Sequence, residues 1–336
     1  MELYRKLDDQ NSAQEQLALA QQEIGKLDER GPDRASFLRL RALIEMNAGQ
    51  LNSALSDMKE ALALSPRDPN NLQLDGDLLM KMGRTEDAIA VYKRVLAIDP
   101  KSRFALTSLG YASRTAGRDG DARRYFERLA HDYPTLAIPY LALGDMYTAH
   151  RQFAKAEASY RKAYSLSPNN ALIVAGGMNA GIEAHKLDAT AAWYRRVTDK
   201  MRNDPQILKE TERYLRLSGQ YRESADVGRK AIEVLPQDRD VVVYLGYDLL
   251  QLGKYDELAQ LTAKYNTVFP KEPDIPLLDG YVQKHNGNLQ LALRDFTEAL
   301  RRDPDVVTAY VNRGYVLNDL HNPTDASKDF EAALKR

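Results

Sequence analysis

The sequence has no cysteine, one tryptophan and five histidines in 336 residues. Without cysteine there is no disulfide framework, no thiolate zinc site and no cysteine nucleophile. The histidines, at 131, 150, 185, 285 and 321, are scattered, and none pairs with another at ligand spacing. The phosphate-binding, dinucleotide-binding, His-Glu-x-x-His and Gly-x-Ser-x-Gly signatures are all missing. No metal, no cofactor and no catalysis are therefore expected. Long apolar runs are missing as well. The most apolar short stretch, VVVYLGYDLL at 241–250, is too short and too polar to span a bilayer, so no direct membrane insertion is expected. An excess of charge of one sign is also absent: 47 Lys and Arg against 48 Asp and Glu leave a net charge of −1. That gives no field to hold nucleic acid or an anionic membrane, and no aromatics interleave with basic residues for base stacking. The start, MELYRKLDDQ, is charged and has no apolar core of a signal peptide. The chain is expected to be soluble, with cytoplasm and periplasm both open.

What the sequence does contain is a period. Prolines fall at 32, 66, 100, 134, 168, 236, 270 and 304, each 34 residues from the last, or 68 where Arg202 holds the phase and Pro205 follows. Internal repetition is the first fact to use. A small residue keeps the same phase as Ala42, Gly76, Gly110, Gly144, Gly246, Gly280 and Gly314. A second small column runs Ala54, Ala88, Ala122, Ala156, Ala292 and Ala326. Four residues later an aromatic column runs Tyr92, Phe126, Tyr160, Tyr194, Phe296 and Phe330. Between the two small columns stand Gly49, Gly83, Gly117, Gly219, Gly253 and Gly287. In the stretch 239–272, Val242, Leu245, Gly246 and Leu249 form one stripe of a helix. An interior glycine costs about 1 kcal/mol relative to alanine, and close approach of a second helix supplies its reason. Gly253 ends that helix and Pro270 bars continuation of the next. Asp68-Pro69 and Asp204-Pro205 read as an N-cap followed by proline at the first helical position. Each unit is expected to be two antiparallel helices.

A 34-residue helix–turn–helix with leucine-glycine in the first helix, alanine and then an aromatic in the second, and a closing proline resembles the tetratricopeptide repeat. The segment VTAYVNRGYVLNDLHNPTDASKDFEAAL at 307–334 places Tyr310, Gly314, Ala326, Phe330 and Ala333 on that family's signature positions. The resemblance covers essentially the whole chain, with units starting at 35, 69, 103, 137, 171, 205, 239, 273 and 307 and a partial one at 1–34. It implies an all-α fold, a right-handed superhelical solenoid of antiparallel helix pairs, forming a single domain over 1–336. It implies binding rather than one task.

The ends and the middle depart from the pattern. Leu17, Ala20, Ile24 and Leu27 keep the phase of a second helix, but MELYRKL is too short a partner, and the chain stops after a second helix at Lys335-Arg336. A solenoid end left uncapped exposes apolar surface. The chain is expected either to be a fragment of a longer array or to bury its ends against something. In 171–238 the small column reads Met178 and Glu212, the alanine column Thr190 and Ser224, and Gly228 replaces a ring. This is either tolerated drift or a seam where curvature changes or a ligand approaches. Trp193 there is either packed between helices or part of a site.

At 100° per residue, Tyr247 points about 150° away from its helix's apolar stripe. In the family this face of the first helices lines a concave peptide groove. The matching positions here are Leu43, Asp77, Tyr111, Asp145, Asn179, Arg213, Tyr247, Tyr281 and Tyr315. The last three make a tyrosine ladder, with Tyr244, Lys284 and Asn312 on the same surface. Tyrosine supplies a rigid ring and a hydroxyl at low entropic cost, which suits a binding surface. The alternative is that these rings only cover the neighbouring helix. Lys209, Arg213 and Arg216 follow i, i+4, i+7 and suggest a basic patch. A carboxylate-clamping arrangement is disfavoured, because Asp274 and Leu278 stand where cations are wanted. The expected function is a non-enzymatic scaffold that binds a peptide segment of a protein partner, as part of a larger protein or complex. The alternatives are a spacer in a cell-envelope or exopolysaccharide secretion protein, and a targeting domain of an enzyme such as a glycosyltransferase.

Overall fold

The computed structural model describes residues 34–336; the partial first unit, with Leu17, Ala20, Ile24, Leu27 and Pro32, lies outside the described residues. All regular structure among the described residues is α-helical. The chain falls into two compact units, one up to Met146 and one from Tyr147 onward. In the first, α1 (Arg34–Ala48) pairs with α2 (Leu51–Leu64), α3 (Pro69–Lys81) with α4 (Thr85–Ile98), and α5 (Arg103–Thr115) with α6 (Asp119–Asp132); α7 (Ala137–Ala149) follows. The second holds α8 (Phe153–Leu166) and the pairs α9 (Ala171–Glu183) and α10 (Leu187–Tyr194), α11 (Pro205–Leu217) and α12 (Tyr221–Val234), and α13 (Arg239–Gln251) and α14 (Tyr255–Tyr265). It closes with α15 (Asp274–His285) and α16 (Leu289–Arg302), then α17 (Val307–Asp319) and α18 (Pro323–Leu334). The second helices begin at 51, 85, 119, 153, 187, 221, 255, 289 and 323, a strict step of 34.

Local chemistry sets these boundaries. Asp68 and Asp204 accept hydrogen bonds from the first backbone N–H groups of α3 and α11, and Pro69 and Pro205 open those helices. Each of the nine turns that lead into a second helix places one residue at positive φ. Six of these are the glycines of the expected column. The other three are Arg151, His185 and His321, at 56°, 55° and 57°. Side chains there carry a left-handed cost of about 1–2 kcal/mol, so the turn is imposed by the helices it joins and not by glycine alone.

The small and aromatic columns meet. A methyl group added at Gly110 would lie 2.5 Å from Phe126 Cε1, and one at Gly280 would lie 2.5 Å from Phe296 Cε1. Gly314 meets Phe330 and Gly76 meets Tyr92 in the same way. In these four units the ring of the second helix thus rests on the bare backbone of its own first helix, and Phe126 and Phe296 are fully buried. Closeness of this kind raises packing density at the cost of tolerance to any added atom.

The irregular stretch keeps this lock in altered form. In 171–204 it moves by one residue: Gly177 faces Trp193, which is fully buried and donates its indole N–H to Glu157 at 2.8 Å. The neighbouring glycines have their own partners, Gly176 against the ring of Tyr160 and Gly181 against Thr190. Trp193 is therefore an interhelix packing residue. In 205–238 the sizes are exchanged. Glu212 stands on the first helix and Gly228 on the second, and an atom added at Gly228 would strike Glu212 Oε1. In 239–272 Thr262 replaces the ring, and Leu278 of the next unit packs against Gly246 instead.

The exchange buries a carboxyl group. Glu212 and Asp248 are both fully buried, and none of their four carboxyl oxygens has a hydrogen-bond partner. Burial, reinforced by the nearby Asp248 charge and opposed by Arg216, pushes Glu212 up from its ordinary 4.5 to about 9. Burial likewise raises Asp248 to about 6. Glu212 is thus a neutral acid at pH 7. The folded chain binds more protons than the unfolded one between the two values, so stability is highest below pH 4.5 on this account and falls as pH rises toward about 9.

Two outcomes follow from these contacts. Gly110→Ala is expected to destabilise by ~1–3 kcal/mol, whereas Gly120→Ala, whose added methyl meets nothing within 4 Å, should stabilise by ~0.4–1 kcal/mol. Urea denaturation of both variants checks the contrast. In melts from pH 5 to 9, Glu212→Gln should flatten the loss of stability, which for each group is at most ~1.4 kcal/mol per pH unit. An unchanged slope would show that Glu212 ionises freely.

Candidate functional site

The position after the small column sits beside the lock ring. Tyr111, Tyr281 and Tyr315 each place an edge on the ring of their own second helix: Phe126 at 5.1 Å, Phe296 at 5.7 Å and Phe330 at 5.4 Å between centroids. Asp77, in the same position of an earlier unit, faces a tyrosine and accepts the Tyr92 hydroxyl at 2.8 Å. The chemistry is consistent. A phenylalanine ring takes a tyrosine edge, while a buried tyrosine hydroxyl takes a carboxylate acceptor. This covariation between columns is present in the sequence and would have tied these residues to the core.

Tyr247 lacks such a ring, because Thr262 replaces it. It packs against the buried clusters that include Ile275 and Leu278 of α15 and donates its hydroxyl to the carboxylate of Asp274 at the start of that helix. Burial raises the Tyr247 hydroxyl far above its ordinary range, with the Asp274 charge adding to the effect. Tyr281 is half-buried, and its oxygen accepts from Asn312 Nδ2 on α17 at 2.8 Å. Lys284 Nζ lies 5.3 Å from the centroid of the Tyr315 ring. Tyr315 remains 52% exposed and Tyr111 36% exposed.

The three cations around α11 are each held. Arg213, only 16% exposed, donates to Asn179 Oδ1 at 2.9 Å, Glu210 at 2.9 Å and Glu183 at 2.7 Å. Lys209 bonds Asp238 at 2.8 Å and Asp240 at 3.2 Å. Burial alone would lower Lys209, but these hydrogen bonds outweigh it and raise its pKa. The Arg216 guanidinium lies 4.5 Å over the ring of Tyr244 on the next first helix. The acidic partners Glu183, Glu210 and Asp238 were not among the sequence candidates, although the i, i+3 pair Glu210–Arg213 was available as a signal.

From α9 to α17 the structure therefore joins the candidates in pairs that link consecutive first helices: Asn179 with Arg213, Arg216 with Tyr244, Tyr247 with Asp274, Tyr281 with Asn312, and Lys284 with Tyr315. Tyr111 belongs to the other unit. Among the described residues no group of three or more acidic or histidine side chains is placed to hold a metal ion, and no helix is long and apolar enough to cross a membrane.

Comparisons with known proteins address the fold. Three segments match family models described as tetratricopeptide repeat: residues 45–109, 138–170 and 280–336. No curated protein matches the sequence. Among solved structures, the chain is similar to one in the crystal structure of the APC/C hetero-tetramer Cut9–Hcn1, with TM-score 0.60 and 14% identity over 92% of this chain and 59% of that one. It is also similar to PilW, described as a widely conserved type IV pilus biogenesis factor, with TM-score 0.53 and 15% identity over 63% of this chain and 98% of that one. The chain thus spans 59% of the length of the first of these relatives.

The side-chain pairs separate structural from surface residues. Arg213→Ala leaves Glu210 buried without its partner and should cost ~2–4 kcal/mol. Tyr315→Ala removes a half-exposed ring edge and should cost ~1 kcal/mol or less. Thermal and urea unfolding of the two variants checks the ranking, which equal losses would contradict.

Proposed function

Because this is a tetratricopeptide-repeat protein, and so of a fold that serves protein–protein interaction, we propose that it holds a peptide segment of a protein partner against the first-helix face of α13, α15 and α17. One observation carries this reading. Both N–H bonds of the Asn312 amide are used, one toward Tyr281 Oη and one toward the Thr308 carbonyl, each at 2.8 Å. Asn312 Oδ1 is left to accept, and the Tyr281 hydroxyl, having accepted, is left to donate. An acceptor and a donor side by side complement the N–H and C=O of a peptide unit. They are fixed in place by the lock ring Phe296 below Tyr281. Tyr315 and Lys284 extend the surface with an exposed ring and a cation.

This arrangement spends little entropy on binding, since the rings and the amide are already ordered. Function as a scaffold needs no reactive group.

Peptides selected from a displayed random library on the purified chain test the reading. Tyr281→Phe keeps the ring on Phe296 and deletes only the hydroxyl. It should weaken the selected peptides by about tenfold, as expected for one lost hydrogen bond in a desolvated site, with the melting temperature almost unchanged. Peptides that bind Tyr281→Phe and Asn312→Leu as tightly as the parent would place the interaction elsewhere.

A further inference from the structure

Openings along the unit from Tyr147 onward mostly carry both signs of charge. One beside α16 is lined by Asp279, Asp295 and Glu298 together with Arg294 and Arg302. One beside α8 has Glu157 together with Arg161 and Lys186. A third, of about 420 Å³, lies among α10, α11, α12 and the segment 195–204, and it is different. Arg195, Arg202 and Lys230 line it, with no carboxylate among its lining residues. In a chain of 47 basic and 48 acidic residues, balance is the expectation. Arg202 pairs with Asp199 at 3.0 Å on the exposed outer side. Arg195 and Lys230 are exposed and have no ion pair among the described residues. Beneath them the floor is partly apolar, with Ile207 and Leu208 buried and Val227 half-buried, and the buried Thr211 and the exposed Asn203 add polar groups to the lining.

The opening is built into the repeat. Helix α10 stops after eight residues, where its counterparts α8 and α12 run for 14. The turns that would have filled the space are replaced by 195–204. That segment is anchored at one end by Trp193, fully buried, and at the other by Met201, also buried. Hydrogen bonds from Arg196 N to Trp193 O and from Val197 N to Tyr194 O, at 2.9 and 3.0 Å, fix its course. The volume is near the lower end of ligand pockets, enough for one large side chain.

We propose that this opening is a second binding site, which takes an acidic peptide segment: an aromatic or leucine side chain enters the partly apolar floor, and flanking carboxylates meet Arg195 and Lys230. Charge complementarity selects this occupant, since unbalanced cations around a partly apolar floor favour an apolar group flanked by anions. The proposal extends the scaffold reading to elements that do not include Tyr281 or Asn312, so the two stand or fall separately.

The test uses the full chain and a fluorescein-labelled peptide, Gly-Glu-Asp-Phe-Asp-Glu-Gly, followed by anisotropy. Saturable binding is expected, weakening as salt rises to about 0.3 M. Versions with Gln and Asn for the acids, or Gly for the phenylalanine, should bind about tenfold more weakly or worse. Arg195→Glu combined with Lys230→Glu should cause at least a similar loss, while Tyr281→Phe should not. Both charge-reversed residues are exposed and without ion pairs, and an unchanged circular-dichroism melt confirms the fold. Absent binding, equal binding of the neutral peptide, equal binding by the charge-reversed variant, or loss with Tyr281→Phe instead would each overturn the proposal.

Discussion

The contact on which the rest depends is an aromatic ring lying against bare backbone. Where a glycine of the first helix faces a ring of the second, the two helices come closer than any larger residue would permit. That distance fixes the angle of the pair and the plane of the ring. It also fixes what stands beside the ring, because the residue after the glycine must satisfy its edge. Tyr111, Tyr281 and Tyr315 do this for phenylalanines, and Asp77 does it for Tyr92. The surface tyrosines are consequences of the core lock, held in place before any partner arrives.

A second layer of order comes from polar pairing between consecutive first helices. Lys209 reaches the N-cap Asp238, Arg213 reaches back to Asn179 and Glu183, and Tyr247 reaches forward to Asp274. Partly buried pairs of this kind add little net stability, but removal of one partner is costly. Their effect is to set how one repeat docks on the next. They also neutralise much of the charge on this face; Arg195 and Lys230, which have no ion pair among the described residues, lie elsewhere.

The period of 34 made the architecture legible. Turn glycines, capping aspartates and closing prolines mark helix ends by local chemistry, and the observed second helices keep the step without slippage. The candidate surface was only half legible. Periodicity placed Tyr247, Tyr281 and Tyr315 on one face, but pairing across helices is a matter of three-dimensional reach, and a helical wheel does not show that Arg213 is enclosed by three acceptors. The departures at 171–238 were the hardest to read, because compensation occurs between positions 16 residues apart. Met178 and Tyr194 hold the expected columns while Gly177 and Trp193 make the contact. Glu212 and Gly228 look like two losses when taken singly and are one exchange when taken together.

That exchange gives the most direct test of the account. If the lock requires one small and one large partner in either order, then Glu212→Gly alone leaves a cavity and Gly228→Phe alone forces a clash with Glu212. Each should destabilise by ~2 kcal/mol or more. The double variant restores the arrangement found at Gly110 and Phe126, and it should recover most of the loss. A double-mutant cycle by urea denaturation at pH 4.5, where the raised pKa of Glu212 costs little, measures this as a favourable coupling of ~2 kcal/mol or more. Additive losses in the double variant would contradict the lock as the organising contact of the repeat.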